Sequence, residues 1–351
     1  MANLAARHER LAGAIELAVT EVLRSGTYVG GPVVAEAERR ISHSMGYGMG
    51  VGVGSGTDAL ALSLRALGIG AGDRVAVPAL SFFATAEAVC QVGATPVFVD
   101  VQEEAPLLDL DSLGEQEAIS AVILVHLFGA RCPAPTNLPV ISDAAQAIGW
   151  GHGRPAGTMA ALSFYPSKTL GAAGEGGMVL TDDGDLAESV RRLGNHGATG
   201  PHRHIRERGG VGTNSRLDAL QAAILLAQID DLENRVQRRR AIASRYEEAL
   251  TELRPLPRAP EDAVHQFLLR SPERTEILQR LAESSIGAAI YYPLPMDAQP
   301  FFTGKPNPQP SDSRCPHAAR FSTEAFAIPC HAELCEADVE LIIEVLKGGS
   351  P

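Results

Sequence analysis

The chain has 351 residues, of which 45% are hydrophobic and 21% charged, and its formal net charge at pH 7 is −12. This composition is typical of a globular protein with one large core and a smaller domain, and it argues against disorder. The negative charge disfavours nucleic acid as a partner, because binding a phosphate backbone requires clustered Lys and Arg side chains. The densest basic run, Arg235 to Arg240, lies in a helical pattern and is predicted to be a solvated helix face.

The first 26 residues mix charged and apolar side chains at helical spacing and contain no continuous apolar segment. We therefore predict neither a signal peptide nor a membrane span, and we expect a cytoplasmic protein. The five cysteines are an odd number without a CxxC pair, which favours reduced thiols over a disulfide framework. Three cysteines and two histidines lie between residues 315 and 335, but their spacing matches no common zinc module, so we predict packing roles and no metal site.

Between about Gly26 and Asp182, helical stretches alternate with short apolar runs rich in β-branched residues. Such runs are typical of strands in a largely parallel sheet that is covered on both faces. We therefore predict an α/β fold, in which ligands bind at the carboxyl ends of the strands. The clearest runs are RVAVPAL (74–80), TPVFVDV (95–101), AVILVHLFG (121–129) and PVISDAAQA (139–147).

A long helical pattern over residues 215–250 carries apolar residues three and four apart in its first half, and it is predicted to form a linker helix between two domains. The chain beyond it is Pro-rich and irregular, and it then mixes strand, helix and loop as a smaller domain would. We predict a large α/β domain over residues 1–240, which includes the N-terminal and linker helices. A small C-terminal α+β domain is predicted over residues 241–351.

Ser55, Gly56 and Thr57 follow the apolar run VGV and open a helical stretch. The free amides and the positive dipole end of a helix start bind phosphate groups, and two hydroxyls lie beside them here. Ser and Thr at such positions also serve as ordinary N-caps, and the residues alone do not decide between the two roles. The surrounding Gly-rich run contains no strict GxGxxG, so a Rossmann dinucleotide site is not predicted.

Asp143 ends a predicted strand and either caps the next helix or faces a ligand. Lys168 follows in SFYPSKTLGAAGEGG, a segment too rich in Gly and aromatic residues for an ordinary solvated helix face. A lysine that forms a Schiff base must lose its proton to act as a nucleophile and then as a base, which a confined site favours. The glycines between positions 171 and 177 would let the backbone pass close to a cofactor.

Seven blocks of the sequence resemble, in order and spacing, the fold type I sugar aminotransferases of the DegT/StrS group, which depend on pyridoxal 5′-phosphate (PLP). The blocks are GTYVGGPVV, VGSGTDALALSLRALGIGAGDRVAVPALSFFATAEAV, GATPVFVDV, ISDAAQA, SFYPSKTLGAAGEGG, NHG and TNSRLDALQAAIL. YYPLPMDAQP and FAIPCHAELCEADVELII extend the similarity over nearly the whole chain. The resemblance implies a large domain with a mostly parallel sheet flanked by helices, and PLP that alternates with pyridoxamine phosphate.

The resemblance also implies roles for individual positions. Lys168 matches the lysine that forms the Schiff base with PLP and moves the proton, and Asp143 matches the acid that pairs with the pyridinium nitrogen. Gln146, on the same predicted helical side as Asp143, matches a residue near the phenolic oxygen of PLP, and Phe82 matches the aromatic that stacks on the ring. Asn214 matches an asparagine that reaches the phosphate from a neighbouring subunit, which implies a homodimer with shared active sites. The expected phosphate ligands of the chain itself are Ser55, Gly56, Thr57 and Ser163.

By this resemblance, we expect amino transfer from L-glutamate to the keto group of a nucleotide-linked deoxysugar. SFYPSK and YYPLPMDAQP look closer to members that act at C3 of the sugar than to those that act at C4. Lys168 argues against the dehydratase branch of the family, which has histidine at this position. Two alternatives stay open: a keto-cyclitol or other non-nucleotide ketone as the acceptor, and a non-catalytic regulatory dimer.

Two features depart from the family pattern. Only nine residues lie between Gly129 and Pro139, where the family carries a crossover helix. Since a parallel connection normally needs about a dozen residues or more, we expect an altered crossover before the strand of Asp143. Tyr291 and Asp297 occupy positions where relatives often have histidines, and we expect both to lie toward the substrate.

Overall fold

The structure is a computed structural model that describes residues 3–135, 137–150, 153–207 and 209–348. The strands of its central sheet are β1 (Met49–Val53), β2 (Arg74–Pro78), β3 (Thr95–Val99), β4 (Ala121–Val125), β5 (Val140–Asp143), β6 (Met159–Ser163) and β7 (Gly177–Thr181). They lie side by side in the order β1-β7-β6-β5-β4-β2-β3.

The sheet is mostly parallel. β2 to β6 pair in parallel, and β7 runs antiparallel to both of its neighbours, β6 and β1. The four apolar runs singled out in the sequence form β2, β3, β4 and β5, so the predicted α/β architecture is confirmed. Because β1, β2, β5 and β6 run in the same direction, their carboxyl ends lie at one edge of the sheet.

Helices cover both faces of this sheet. They are α1 (Leu4–Ser25), α2 (Gly31–Ser44), α3 (Gly56–Ala66), α4 (Ala84–Gln91), α5 (Leu110–Gly114), α6 (Gly184–Leu193) and α7 (Ala219–Ile229). Met159 and Ala161 of β6 belong to one apolar cluster with α3 and α4, whereas Ala160 and Leu162 belong to a second with α2 and α7. This alternation is the two-residue period of a strand buried on both faces. None of the described helices is long and apolar enough to cross a membrane.

The helical pattern over residues 215–250 folds as two helices, so the predicted single linker helix is wrong. α7 ends just before Asp230 and Asp231, and α8 (Leu232–Ala249) begins just after them. Aspartate is a poor residue for a helix interior, because its short side chain competes for local backbone groups. The carboxylate of Asp231 instead forms an ion pair with Arg10 of α1 (2.6 Å).

The basic run Arg235 to Arg240 is not a solvated face, and that prediction is also wrong. Arg235 and Arg239 expose only 4% and 7% of their surface. The guanidinium of Arg235 donates to the carbonyl of Thr169 (2.9 Å), and that of Arg239 donates to the carbonyl of Cys330 (2.8 Å). The first half of α8 packs on the sheet and its second half on the C-terminal segment, so these arginines meet backbone carbonyls instead of water.

A third apolar cluster joins the second half of α8 to the C-terminal elements. The remaining strands and α-helices of the described residues are β8 (Ala198–Gly200), β9 (Arg203–His204), β10 (Phe267–Arg270), α9 (Arg274–Glu283), α10 (Pro300–Thr303), α11 (Pro316–Glu324), β11 (Ala325–Ile328) and α12 (Glu336–Leu346). β10 and β11 form an antiparallel pair that packs with α8, α9 and α12 in this cluster. Since α8 also contributes to the cluster on the sheet, the domain boundary at residue 240 stays a prediction.

The connection from β4 to β5 contains Thr136, which lies outside the described residues. Its described part has one turn of 3-10 helix and no α-helix, yet β4 and β5 pair in parallel. The Nδ1 atom of His126 accepts a hydrogen bond from the N–H of Cys132 (3.1 Å), which leaves Nε2 to donate to the Oγ of Ser142 on β5 (2.9 Å). Buried side-chain bonds therefore brace this altered crossover.

Burial lowers the pKa of His126 to about 3, and the charge of Arg131 adds to the shift. The pKa of a histidine in the unfolded chain is about 6.5. Between that pH and the folded pKa, only the unfolded state binds the proton at this side chain. The free energy of unfolding therefore falls as the pH falls. We expect His126→Gln to have a lower free energy of unfolding than the wild type at neutral pH. When the pH is lowered from about 7 to about 5, the free energy of unfolding of this variant should fall by about 2 kcal/mol less than that of the wild type. Urea unfolding at each pH measures this difference, with exposed His43→Gln as the control. An unchanged acid loss in His126→Gln would refute the buried neutral histidine.

Candidate active site

The carboxyl edge of the sheet collects most of the residues singled out in the sequence. Asp143 is the last residue of β5, and Ser163 is the last residue of β6. The helix start at Ser55 follows β1, Phe82 follows β2, and Lys168 lies shortly beyond β6. Since these strands run in the same direction, segments that are far apart in the chain converge here.

The turn into α3 has the geometry of a helix N-terminus that can bind an anion. Ser55 is the N-cap, and its Oγ accepts a hydrogen bond from the N–H of Asp58 (3.0 Å). The amides of Gly56 and Thr57 belong to the first turn, where a helix provides no acceptor of its own, and the positive end of the helix dipole lies beside them. The capping role of Ser55 and an anion site at the following amides are therefore compatible.

Gly56 allows Ser163 to lie against this helix start. A Cβ atom on Gly56 would lie 2.7 Å from the Cβ and 3.2 Å from the Oγ of Ser163, which is closer than packed side chains come. Gly177 has a similar role, because a Cβ there would lie 2.2 Å from the carbonyl oxygen of Ser55. The glycines thus bring a hydroxyl and the first-turn amides of α3 together from separate strands.

Asp143 is buried, with 9% of its surface exposed. Its Oδ2 accepts a hydrogen bond from the Oγ1 of Thr85 (3.2 Å), and its Oδ1 accepts one from the N–H of Ala145 (3.2 Å). Burial raises the pKa of this carboxyl, while the two hydrogen bonds and the charge of Lys168 lower it. Thr85 was missed in the sequence, although it lies in the same block, ALSFFAT, from which Phe82 was chosen.

Lys168 and Asp143 act on each other electrostatically. Burial lowers the pKa of the Lys168 amine, and the negative charge of Asp143 raises it. An amine of lowered pKa is more readily deprotonated at neutral pH, and the free amine is the form that attacks a carbonyl carbon. The structure thus places a potential nucleophile within Coulombic reach of a buried carboxylate.

Side chains from three helices hold the backbone on both sides of Lys168. Arg7 of α1 donates to the carbonyls of Pro166 (2.6 Å) and Lys168 (3.0 Å). Arg235 of α8 donates to the next carbonyl along the chain (2.9 Å), and Gln228 of α7 donates to one two residues further on (2.8 Å). These bonds fix the segment from which the amine extends.

The segment after Asp143 forms turns, so the helix on which we expected Gln146 and Asp143 to share a side is wrong. The carboxylate of Asp143 accepts from the amide of Ala145, which diverts that amide from helical pairing. Gln146 still joins the site: its Oε1 accepts from a backbone N–H of the β4–β5 connection (2.5 Å), and its side chain bonds to the hydroxyl of Tyr292. Burial raises the pKa of that hydroxyl.

Phe82 offers an open aromatic face at this edge of the sheet. It exposes 60% of its surface, and its ring centroid lies 6.1 Å from that of Tyr292. An open aromatic face of this kind can stack on a planar ring.

Two further residues singled out in the sequence have contacts of their own. Asn214 is exposed, and its backbone bridges to Asn195. The carboxylate of Asp297 accepts from the Oγ of Ser313 (2.7 Å) and the N–H of Arg314 (2.8 Å). Asp297 therefore holds a turn of its own segment, and its orientation toward a substrate stays a prediction.

Comparison with known proteins decides the family. The sequence pattern of the DegT/DnrJ/EryC1/StrS aminotransferase family matches residues 10–347. The chain belongs to this family. The pleiotropic regulatory protein of Geobacillus stearothermophilus is 35% identical over 98% of this chain and 96% of its own length. The UDP-2-acetamido-2-deoxy-3-oxo-D-glucuronate aminotransferase of Pseudomonas aeruginosa is 33% identical over 99% of both chains.

Solved structures agree with this assignment. The crystal structure of S. venezuelae DesV in complex with a ketimine intermediate superposes with a TM-score of 0.91, at 34% identity, over 99% of this chain and 96% of that chain. The resemblance found in the sequence and the α/β architecture of a fold type I aminotransferase are thus confirmed.

We expect Asp143→Asn to lower the pKa of Lys168, because it removes the charge that raises this pKa and leaves the amine buried. The pH dependence of reductive methylation at Lys168 in cofactor-free protein measures the change, since only the free amine reacts. Half-maximal labelling should move to lower pH. Asp230→Asn, at a side chain that is 81% exposed, is the control. A midpoint that stays in place or rises in Asp143→Asn would show that the two groups are not coupled.

Proposed function

We propose that this aminotransferase uses PLP bound to Lys168 to move the amino group of L-glutamate to a keto group of a nucleotide-linked deoxysugar. The observation that carries the proposal is the buried, electrostatically coupled pair of Asp143 and Lys168. It lies at the same edge of the sheet as the anion-binding start of α3. An amine, a buried carboxylate and a phosphate-type helix start are the three features that PLP chemistry requires of a protein.

The residues present fit PLP in charge and in shape. A protonated pyridine nitrogen suits Asp143, because a cation beside a buried carboxylate offsets part of the cost of its burial. A phosphate suits the first-turn amides of α3 with the hydroxyl of Ser163, and a planar ring suits the open face of Phe82. When bound, PLP supplies a sink for the electrons left at the substrate carbon. The proposed ligands are Ser55, Gly56, Thr57, Phe82, Asp143, Gln146, Ser163, Lys168 and, from a second subunit, Asn214.

In this proposal the side chains of the chain itself hold and move protons. The Nζ of Lys168 takes the proton from the amino-bearing carbon of the donor and later gives a proton to the carbon of the acceptor. Its lowered pKa favours the first role, and the charge of Asp143 limits that shift and supports the second. Arg7, Arg235 and Gln228 keep the backbone of Lys168 in place while the amine moves.

The names of relatives support a nucleotide-linked sugar as the acceptor. The P. aeruginosa relative is named for a UDP-linked 3-oxo sugar. The segments SFYPSK and YYPLPMDAQP of this chain also look closer to members that act at C3, so we place the reacting ketone there. The ketimine of the DesV complex is a carbon–nitrogen double bond of the kind that amino transfer to a ketone requires.

The G. stearothermophilus relative is named as a regulatory protein, which supports the alternative of a non-catalytic dimer. A scaffold does not require a lysine of lowered pKa whose backbone is held by two arginines and a glutamine. The geometry around Lys168 therefore favours catalysis. A keto-cyclitol acceptor is left as an outcome of the experiment below.

We also propose that the active unit is a homodimer in the cytoplasm. The apolar side chains of Val211 (76%), Val29 (60%) and Leu17 (58%) are exposed, and a dimer contact would remove such surface from water. Val211 lies three residues before the exposed Asn214, so one surface would bring Asn214 to the phosphate site of the second subunit. The five cysteines are free, which suits a reducing compartment.

Incubation with nitrogen-labelled L-glutamate and a panel of nucleotide-linked keto-sugars and keto-cyclitols tests the reaction. We expect the label in an amino sugar. Lys168→Ala should reduce the rate by about a thousandfold or more, because it removes both the cofactor attachment and the proton carrier. Lys305→Ala, an exposed position, is the matched control. Label found only in cyclitols would refute the sugar assignment, and undiminished transfer in Lys168→Ala would refute the role of that lysine.

Dimers with Lys168→Ala in one subunit and Asn214→Asp in the other test the shared site. If Asn214 serves the neighbouring subunit, one of the two sites in this dimer is intact, and about half of the wild-type activity should return. Differently tagged subunits allow the mixed dimer to be purified, and each parent dimer provides the inactive baseline. No recovery would show that Asn214 acts within its own subunit or not at all.

A further inference from the structure

Tyr292 lies among three of the proposed PLP ligands, although the sequence did not single it out. Its ring centroid lies 6.1 Å from that of Phe82, its hydroxyl bonds to the side chain of Gln146, and the charge of Asp143 acts on it. Phe82 follows β2, whereas Asp143 and Gln146 lie at the end of β5 and just beyond it. Tyr292 itself comes from the loop between α9 and α10, so a C-terminal loop reaches the proposed cofactor site.

The side-chain amide of Gln146 is held in one orientation. Its Oε1 lies 2.5 Å from the backbone nitrogen of Phe128, and because a backbone N–H can only donate, the oxygen of the amide must face it. The peptide of Phe128 is held in turn, since its carbonyl accepts from the N–H of His265 (3.0 Å). The NH₂ group of Gln146, with two N–H donors, is therefore the end of the amide that is available to Tyr292 and to a ligand.

The backbone of Phe128 adopts a conformation that this arrangement requires and that its side chain does not favour. Its φ of 60° and ψ of 3° lie in the left-handed region, which is costly for a residue with a bulky side chain. Such strain persists only where the surrounding structure holds the residue in place, and it is found mainly at functional sites. The N–H of Phe128 that fixes Gln146 is thus part of a strained turn next to the proposed cofactor site.

The hydroxyl of Tyr292 stays protonated and is a hydrogen-bond donor. Burial raises its pKa, the negative charges of Asp143 and Tyr291 raise it further, and the hydrogen bond with Gln146 opposes these effects only in part. A hydrogen bond that lowers the pKa of a phenol is one donated to its oxygen, which agrees with the NH₂ group of Gln146 as the donor. Both carboxylate oxygens of Asp143 accept other hydrogen bonds, and within the described part of the chain no acceptor takes the proton of Tyr292.

The structure of PLP identifies the acceptor that this hydroxyl would meet. In the pyridine ring, one methyl-bearing carbon separates the nitrogen from the carbon that carries the phenolic oxygen. The proposed partner of the nitrogen is Asp143 and that of the phenolic oxygen is Gln146, so a side chain that adjoins both residues lies along this edge of the ring. A protonated nitrogen and a methyl group cannot accept a hydrogen bond, which leaves the phenolic oxygen as the acceptor on this edge.

We propose that Tyr292 is a further PLP ligand, whose hydroxyl donates a hydrogen bond to the phenolic oxygen beside the NH₂ group of Gln146. The inference rests on the proposed function and deepens it, because it gives the C-terminal loop a part in binding the cofactor. A hydrogen bond to the phenolic oxygen disperses the negative charge that holds a proton on the nitrogen joining PLP to Lys168. Tyr292 thus lowers the pKa of that nitrogen.

The absorbance of the PLP-loaded protein as a function of pH tests this inference, because the band of the linkage to Lys168 moves to shorter wavelength when its nitrogen loses the proton. Tyr292→Phe keeps the ring and removes only the hydroxyl. We expect the midpoint of this titration to rise by about one pH unit, since a hydrogen bond to a charged group is lost. The variant leaves in place the titratable groups that act on Lys168 and on the loop, which are Asp143, His265 and Tyr291.

Tyr47→Phe is the matched control for this titration. It also removes a buried hydroxyl, one that donates to the carbonyl of Pro155 (2.8 Å), but on an element that does not contribute a proposed PLP ligand. Its midpoint should equal that of the wild type. An unchanged midpoint in Tyr292→Phe would overturn the inference, and an equal rise in both variants would show a general effect of losing a buried hydroxyl and would overturn it as well.

Binding of two cofactor forms to cofactor-free protein gives a second reading that does not depend on catalysis. Equilibrium dialysis measures the affinity for PLP and for 3-deoxypyridoxal 5′-phosphate, which lacks the phenolic oxygen. Tyr292→Phe should weaken PLP binding by about fivefold and leave binding of the analogue within about twofold, because only PLP offers the acceptor. An equal loss for both compounds would show a defect of the loop and would contradict the proposed hydrogen bond.

Two further outcomes separate this inference from the function on which it rests. If Tyr292→Phe changes only the keto-sugar half-reaction and neither the midpoint nor PLP binding, the hydroxyl serves the substrate, and the inference is overturned while the proposed function stands. If the wild-type protein forms no pH-dependent band with PLP, the proposed function is overturned, and the inference falls with it.

Discussion

Burial shifts the pKa values of Asp143 and Lys168 in opposite directions, and the attraction between the two groups opposes both shifts. The chemistry of the site depends on the balance between burial and this attraction. Burial raises the pKa of the carboxyl and lowers that of the amine, so burial favours the neutral form of both groups. Their mutual attraction opposes both shifts. The site thus holds an amine that can give up its proton beside a carboxylate that a cationic ring nitrogen would keep ionised. PLP requires this combination, and neither residue would supply it at the protein surface.

Hydrogen bonds from neighbouring elements hold both members of this pair in place. Thr85 and the amide of Ala145 hold the carboxylate, while Arg7, Arg235 and Gln228 hold the carbonyls around Lys168. Buried arginines are costly unless their N–H groups find acceptors, and backbone carbonyls supply most of them here.

The strands β2 to β5 and the helix start at Ser55 could be predicted from sequence, because a buried parallel strand is a continuous apolar run and an N-cap is a local pattern. The errors have a different physical origin. The helix break at Asp231, the burial of Arg239 and the turn at Gln146 depend on partners that are remote in sequence or on a bond to the carboxylate of Asp143. A basic run on a helix looks the same in sequence whether it meets water or carbonyls. The family resemblance gave roles for individual residues, but it could not reveal the bond of Thr85 to Asp143, which depends on a tertiary contact.

The chain contains three lysines: Lys305 and Lys347 are exposed, whereas Lys168 is half-buried as a residue and its amine is desolvated by burial. This makes the attachment of PLP directly measurable. Protein incubated with equimolar PLP is reduced with borohydride and digested, and the modified peptide is located by mass spectrometry. The Asp143–Lys168 pair predicts one PLP per chain on Lys168 and none on the two exposed lysines. Label spread over Lys305 and Lys347, or its absence from Lys168, would contradict the account.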